Sequence, residues 1–269
     1  MADDLAQRGV VLLGCGKMGS AMLAGWLQDG LPASAVYVID PNPSDWLRAQ
    51  GVHINAALPA NPAILLLAVK PQMMGEAAPQ VVQFGGGDTV VLSIAAGTPI
   101  QAFEAMFGAD TPIIRAMPNT PAAIGQGITA MVGNARASAA DMDMADRFLS
   151  AVGQTVRLQT EAQMDAVTGL SGSGPAYVFY MIECMTQAGI AQGLPAELAA
   201  QLASATVAGA GALAQAADEP PAQLRINVTS PNGTTQAGLE VLMDPSTGLA
   251  PLIGQTVAAA VRRSQELAQ

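Results

Sequence analysis

The chain has 269 residues, 51% of them hydrophobic but only 4% aromatic, with 12% charged and a formal net charge of −10. That length allows one large domain or two modest ones, and the apolar content excludes disorder. The acidic balance argues against a nucleic-acid binder, and a charged fraction near half the usual ~25% points to surface covered by other subunits.

The opening MADDLAQRG is acidic and lacks an apolar signal core, so no leader is expected. Val10–Leu13 reads as a buried strand, followed by a helix from Lys17 to Asp29. Val36–Asp40 is a second strand, a short helix covers Asp45–Gln50, and Val52–Asn55 is a weak third strand. Further strands are expected at Ile64–Val69, Thr89–Ile94, Ile113–Ala116, Ile128–Gly133 and Thr155–Leu158. Strands alternating with helical patterns imply a mostly parallel sheet covered on both faces, with ligands outside the carboxyl ends of the strands.

Beyond Glu161 no strand pattern remains. Helices are expected at Pro175–Gly193, Pro195–Ala217, Gln223–Ser230, Thr234–Met243 and Gly248–Ala268, with Pro195 in a first helical turn. The uncharged stretch Leu198–Ala217 is rich in Ala, Gly, Ser, Thr and Gln and reads as a closely packed helix, not a membrane span. Cys15 and Cys184 are too few for a disulfide framework or a cysteine-rich zinc site, which suits a reducing compartment. A soluble, cytoplasmic protein is expected.

The first chemical motif is Gly14-Cys15-Gly16-Lys17-Met18-Gly19, a GxGxxG between a strand and a helix. Gly14 permits the tight turn, Gly16 lets the backbone approach a pyrophosphate, and Gly19 lets the helix pack on the strand. The helix N-terminus adds unpaired N–H groups for phosphate. Asp40 follows 21 residues after Gly19, where a carboxylate can accept a ribose 2′-hydroxyl and repel a 2′-phosphate. Dinucleotide binding is therefore expected, with a lean towards NADH over NADPH. Pro41-Asn42-Pro43 also allows Asp40 to be a turn former.

Only two lysines exist, Lys17 in the glycine loop and Lys70 at a strand end before Pro71. Each has a plain alternative: a solvated helix start for Lys17, a cation neutralising carbonyls for Lys70. The single histidine, His53, lies between Val52 and Ile54 and reads as structural. Residues 151–269 contain no Lys and no His, so carbonyl or alcohol chemistry lacks its usual proton donor there. A protonated C=N is already electrophilic, so an imine substrate removes much of that requirement.

Leu170-Ser171-Gly172-Ser173-Gly174-Pro175-Ala176-Tyr177 opens the helical half with small residues suited to close ligand approach or to a flexible helix entry. Asn227-Val228-Thr229-Ser230-Pro231-Asn232-Gly233-Thr234-Thr235 is a polar cluster between two helices. Its hydroxyls and the N–H groups after Gly233 can bind a carboxylate or simply cap a helix. Arg225 is expected at an exposed or interface position. Asp218 or Glu219 can meet a substrate cation or remain a solvated loop acid. The methionines Met164, Met181, Met185 and Met243 are expected in core and subunit contacts. Asp141, Asp143 and Asp146 have no ligand of another type nearby, so no metal site is expected, and there is no Ser-His-Asp arrangement or HExxH.

Together these motifs resemble the pyrroline-5-carboxylate reductase family over nearly the whole chain. The resemblance rests on GCGKMG (14–19), AVKP (68–71), SIAAG (93–97), RAMPNTP (115–121), TGLSGSGPAYVF (168–179) and NVTSPNGTT (227–235), the last being the family's signature segment. It implies a Rossmann-type dinucleotide-binding domain over residues 1–160 and an all-α dimerisation and substrate domain over 161–269. It implies reduction of the cyclic imine to L-proline with NADPH or NADH, as the last step of proline synthesis. The implied cofactor site is Gly14, Cys15, Gly16, Lys17, Met18, Gly19, with Ala68, Val69, Lys70, Pro71, and with Ile94, Ala95, Ala96. Glu161 and Asn227 match positions that contact cofactor or substrate. Ser230, Thr234 and Thr235 would surround the substrate carboxylate and ring nitrogen, with Thr235 on the nitrogen, and Asp218 stands where relatives carry a substrate-side Glu. Asn232 replaces the commoner Gly of the signature, but Asn tolerates positive φ. Asp40 stands where NADPH-preferring relatives often carry Ser or Thr. Intertwined homodimers that assemble into larger rings, commonly decamers, are also implied.

Overall fold

A computed structural model describes residues 2–267. Ala268, the last residue of the final expected helix, lies outside the described residues. Two compact units are present. The first runs to Gly172 and takes the chain back from Ala260; the second is Ser173–Ala259.

The first unit begins with helix α1 (Ala2–Arg8), to which the sequence reading assigned no structure. Then come β1 (Val10–Leu13), α2 (Lys17–Gln28), β2 (Val36–Ile39), α3 (Asp45–Arg48) and β3 (His53–Ile54). Next are β4 (Ile64–Leu67), α4 (Met74–Ala77), β5 (Val90–Ser93), α5 (Ile100–Phe107) and β6 (Ile113–Met117). The unit continues with β7 (Gly127–Gly133), α6 (Ala139–Ser150), β8 (Gly153–Arg157) and α7 (Met164–Val167).

The strands form one sheet in the order β3-β2-β1-β4-β5-β6-β7-β8. All neighbours are parallel except β6 and β7. Strand order reverses beside β1, between β2 and β4, which opens a crevice at their carboxyl ends. The strands β1, β4 and β5 are buried along their whole length, as a sheet covered on both faces requires. Alternate residues feed two cores. Val10, Leu12, Ile64, Leu66 and Leu92 pack with Met22, Trp26 and Phe148. Val11, Leu13, Leu65, Leu67 and Val91 pack with Phe103 and Phe107. Trp26 stacks on Phe148 with ring centroids 4.0 Å apart, and its Nε1 donates to the Phe148 carbonyl at 2.9 Å.

Several expected boundaries move for local reasons. The strands β2, β4 and β5 stop before Asp40, Ala68 and Ile94, so these residues leave the ladder and face the strand ends. The last strand starts at Gly153 rather than Thr155, because it pairs with β7 from Gly127 onward. Residues 71–84, not assigned from sequence, form a chain of single turns that Pro71 and Pro79 keep from merging.

The second unit contains α8 (Gly174–Ala191), α9 (Ala196–Ala216), α10 (Pro221–Asn227), α11 (Thr234–Leu242) and the start of α12 (Leu249–Leu267). Pro195 is the N-cap of α9 rather than a first-turn residue. The helix expected over 223–230 is displaced to Pro221–Asn227: Pro221 occupies its first turn, where a missing N–H costs nothing, and it ends short of Ser230-Pro231. Among the described hydrophobic residues of this unit only Ala199 and Ala203 are buried, while Phe179, Tyr180, Leu213, Val241 and Leu252 are all more than half exposed. So many large apolar side chains left exposed in one unit are the signature of a surface that a partner subunit covers. Among the described residues no helix is long and apolar enough to cross a membrane.

Candidate active site

The turn from β1 to α2 is built by its glycines. Gly14 has φ +89°, and a Cβ there would lie 2.8 Å from Val69 Cγ1 and 3.1 Å from the Ala68 carbonyl oxygen. A Cβ on Gly19 would lie 2.5 Å from the Gly14 carbonyl oxygen. Gly16, by contrast, is exposed and faces open space. The cradle is thus closed towards the sheet and open where a pyrophosphate would rest, above the N-terminus of α2. That arrangement fits a dinucleotide.

Asp40 follows β2 directly and reaches across to this turn. Its Oδ2 accepts the Cys15 N–H at 2.7 Å, and its Oδ1 accepts the Asn42 N–H at 2.8 Å. Burial, and then the Asp40 charge, push the Cys15 thiol up to about 11. Asn55, at φ +50°, holds Asp40 from the other side. Its Oδ1 accepts the Asp40 N–H at 3.0 Å and its Nδ2 donates to the Asp40 carbonyl at 2.8 Å.

Two clefts follow the strand ends of this unit. One, about 430 Å³, lies beyond β1, β2 and β4 and is lined by Leu13, Ile39, Pro41, Asn55, Val69 and Met73 among others. It suits a flat apolar base and its ribose. The second, about 310 Å³, lies beyond β4, β5 and β6. Met18, Ala68, Val69, Lys70, Pro71, Ile94, Ala95 and Ala96 line it, which brings most of the expected cofactor residues to one place. Met117, Pro118, Asn119, Thr120 and Gly172 also line it. Gly172 belongs to the small-residue segment expected to allow close ligand approach, whereas Met117, Pro118, Asn119 and Thr120 were missed as site residues although their motif was visible; Pro118 and Pro121 just beyond a strand were the available signal. Asn119 is held by its own contacts, accepting the Ile128 N–H at 2.9 Å and donating to Ser171 Oγ at 3.4 Å. Lys17 and Lys70 are exposed and have no ion-pair partner among the described residues.

Glu161 is not among the residues that line these two clefts. Its Oε1 accepts from Arg115 Nη1 and from the Ile100 N–H, each at 2.8 Å. His53 stacks on Tyr37 at 4.5 Å and its Nε2 lies 3.1 Å from the Ser34 carbonyl oxygen. Asp141 caps α6 with Ser138, while Asp143 and Asp146 pair with Arg157. The Thr155 hydroxyl, and then Arg157, hold the Asp146 carboxyl below its usual range.

The expected substrate residues lie in the second unit. The loop 228–233 turns through Asn232 at φ +58°, so the Asn-for-Gly departure leaves the left-handed position filled. A Cβ on Gly233 would lie 2.3 Å from Ser230 Oγ and 3.1 Å from the Ser230 carbonyl oxygen, so glycine lets the hydroxyl keep this position against the turn. Gly233 caps α11 without a side-chain bond, and the N–H groups of the first turn, those of Thr234 and Thr235 included, have no acceptor within the helix. Gln236 Oε1 instead accepts the Asn232 N–H at 2.8 Å. Ser230, Thr234 and Thr235 are exposed, as is Asp218. The Asn227 side chain is engaged by Glu219 at 3.2 Å and Gln223 at 2.8 Å. Arg225 Nη1 lies 2.9 Å from Met243 Sδ.

The glycine cradle, the acidic residue beyond β2 and the clefts along the strand ends define a nicotinamide-dependent oxidoreductase. The family model for NADP oxidoreductase, coenzyme F420-dependent, matches residues 9–97, and that for pyrroline-5-carboxylate reductase dimerisation matches residues 161–267. A pyrroline-5-carboxylate reductase of Pseudomonas aeruginosa is 38% identical over 266 residues, covering 97% of each chain. The structure of a pyrroline-5-carboxylate reductase from Coxiella burnetii superposes with a TM-score of 0.90 at 31% identity, covering 97% of this chain and 99% of that one. The Plasmodium falciparum pyrroline carboxylate reductase with NADP bound gives a TM-score of 0.84 at 27% identity, covering 98% and 99%. The chain belongs to the pyrroline-5-carboxylate reductase family. The dimerisation family model over residues 161–267 makes it a homo-oligomer.

Proposed function

We infer that this chain reduces 1-pyrroline-5-carboxylate to L-proline, the last step of proline biosynthesis. The observation that carries the reading is relatedness to a pyrroline-5-carboxylate reductase over 97% of the chain. The glycine cradle supports it by fitting a dinucleotide. A bound reduced nicotinamide would supply hydride to the imine carbon, C2 of 1-pyrroline-5-carboxylate, which becomes C5 of proline.

The residues of the chain bind and orient. Gly14, Cys15, Gly16, Lys17, Met18 and Gly19 hold the pyrophosphate on the N-terminus of α2. Ala68, Val69, Lys70, Pro71, Ile94, Ala95 and Ala96 shape the nicotinamide cleft. Ser230 and Thr234, with the free N–H groups of α11, hold the substrate carboxylate, and Thr235 accepts a hydrogen bond from the protonated ring nitrogen. Hydride addition to that iminium yields a secondary amine directly, so no side-chain acid is required. The absence of Lys and His from residues 151–269 fits this chemistry. Asn227 and Asp218 belong to the substrate side, and Glu161 supports the cofactor side.

Asp40 makes NADH the preferred cofactor. Its carboxylate stands where a 2′-phosphate would bring like charge, and each of its oxygens, having accepted one N–H, retains a lone pair for a ribose hydroxyl. Residues 1–160 are the dinucleotide domain and 161–269 the dimerisation and substrate domain. The dimers assemble into a larger ring such as a decamer in the cytoplasm. The ratio of kcat/KM for NADH and NADPH, measured with pyrroline-5-carboxylate, tests the cofactor reading: a ratio above one supports it and a ratio below one overturns it.

A further inference from the structure

We propose that Asn55 is a positioning residue that sets dinucleotide affinity through Asp40, by clamping the Asp40 backbone so that its carboxylate braces the glycine-rich loop. The inference deepens the cofactor reading above and rests on it only for the NADH preference.

The bonds form one relay. The Asn55 carboxamide engages both the N–H and the carbonyl of Asp40, at 3.0 and 2.8 Å, as a neighbouring strand would. The Asn55 N–H donates to the Val38 carbonyl at 2.9 Å, so the residue is tied to β2 by its backbone as well. Its φ of +50° turns the side chain back onto Asp40; asparagine reaches this region more readily than other side-chain-bearing residues. The ladder of β2 and β3 ends at Val38 and Ile54, so Asn55 extends it by one residue through a side chain. Asp40 is thereby fixed beyond the strand end, and its Oδ2 meets the buried Cys15 N–H at 2.7 Å. That N–H lies between Gly14 and Gly16, in the segment on which a pyrophosphate would rest. The glycines make this turn permissive, so a fixed partner is needed to hold its amides in one arrangement.

The test is a double-mutant cycle on the full-length enzyme, reading KM and kcat for each nicotinamide cofactor. Asn55→Gly keeps the left-handed backbone and removes the clamp together with a side chain that lines the cleft beyond β1, β2 and β4, two effects that the Asp40→Ala background separates. It should raise KM for both cofactors roughly tenfold, with kcat at saturation within about twofold. It should also bring the NADH:NADPH ratio towards one. In an Asp40→Ala background, Asn55→Gly should add less than about twofold to KM, because the carboxylate it positions is gone. Effects that multiply in the double mutant would show that Asn55 acts by its own contact and would overturn the proposal. So would an Asn55→Gly protein with reduced thermal stability and unchanged KM. A wild-type enzyme without NADH preference, but with the coupled KM effects, would remove the preference and leave the relay standing.

Discussion

Arg115 Nη1 donates to Glu161 Oε1 at 2.8 Å, with the Arg115 side chain 7% exposed and that of Glu161 31% exposed. The same oxygen accepts the Ile100 N–H at the start of α5. One carboxylate therefore neutralises a buried cation on β6 and caps a helix. Glu161→Ala leaves the guanidinium buried without its partner and should cost about 2–3 kcal/mol in urea unfolding. Glu161→Gln keeps an acceptor for both donors and should cost less than half as much. Equal losses in the two variants would contradict this assignment.

Gly16 and Gly19 should separate stability from binding. A methyl at Gly19 meets backbone 2.5 Å away, whereas one at Gly16 meets nothing within 4 Å. Gly19→Ala should lower both the melting temperature and cofactor affinity. Gly16→Ala should leave the melting temperature unchanged and raise the cofactor KM roughly tenfold or more, by intruding on the pyrophosphate. Unaltered KM in Gly16→Ala would place the pyrophosphate elsewhere.

The structure also alters the expectation for replacing Asp40. Serine removes the charge and the acceptor of the buried Cys15 N–H together. Asparagine removes the charge and keeps an oxygen for that N–H. Asp40→Asn should therefore shift the kcat/KM ratio towards NADPH with little loss overall. Asp40→Ser should make the same shift while raising KM for both cofactors several-fold, roughly the effect of one unsatisfied donor. Steady-state kinetics with both cofactors decide, and identical behaviour of the two variants would remove the bracing role.

Cys15 gives a pH signature. Its thiol ionises near 9.0 when unfolded and at about 11 in the fold. Below pH 9 both states hold the proton and the contribution to stability is constant. Between about 9 and 11 the unfolded chain binds fewer protons, so stability falls as pH rises, by roughly 2–3 kcal/mol in all. Urea midpoints for the wild type and Cys15→Ala should diverge in that range, with the variant falling less. Parallel pH profiles would contradict the buried-thiol account.

Much of the frame was legible because it is carried by local pattern. The apolar runs of β1, β4 and β5, the GxGxxG between Leu13 and Met22, and the Pro and Gly breaks around Pro195 and Pro220 each announce an element. What escaped the sequence is carried by contacts across it. Asn55 and Asp40 are joined by side-chain bonds over 15 residues, Asp40 and Cys15 over 25, and Arg115 and Glu161 over 46. No periodicity records such pairings. Asp40 was visible as the acid beyond β2, but its two backbone N–H partners were not. The helix α5 was missed because its IQAFEAMF run is too short and too apolar to separate from the strands around it.

Thr235→Ala, with Ser230→Ala beside it, tests the polar loop. Loss of one hydrogen bond to a charged substrate group should lower kcat/KM for the imine ~10-fold or more. The cofactor Kd should stay unchanged, because both residues are assigned to the substrate. A changed cofactor Kd with unchanged imine kinetics would reverse that assignment.

Imine reduction is read from the loss of reduced-nicotinamide absorbance when the purified protein meets pyrroline-5-carboxylate, run in parallel with NADH and NADPH. Turnover to L-proline is expected with at least one cofactor, and the higher kcat/KM with NADH. A folded protein that binds NADH yet consumes neither cofactor with this imine would contradict the proposed reduction.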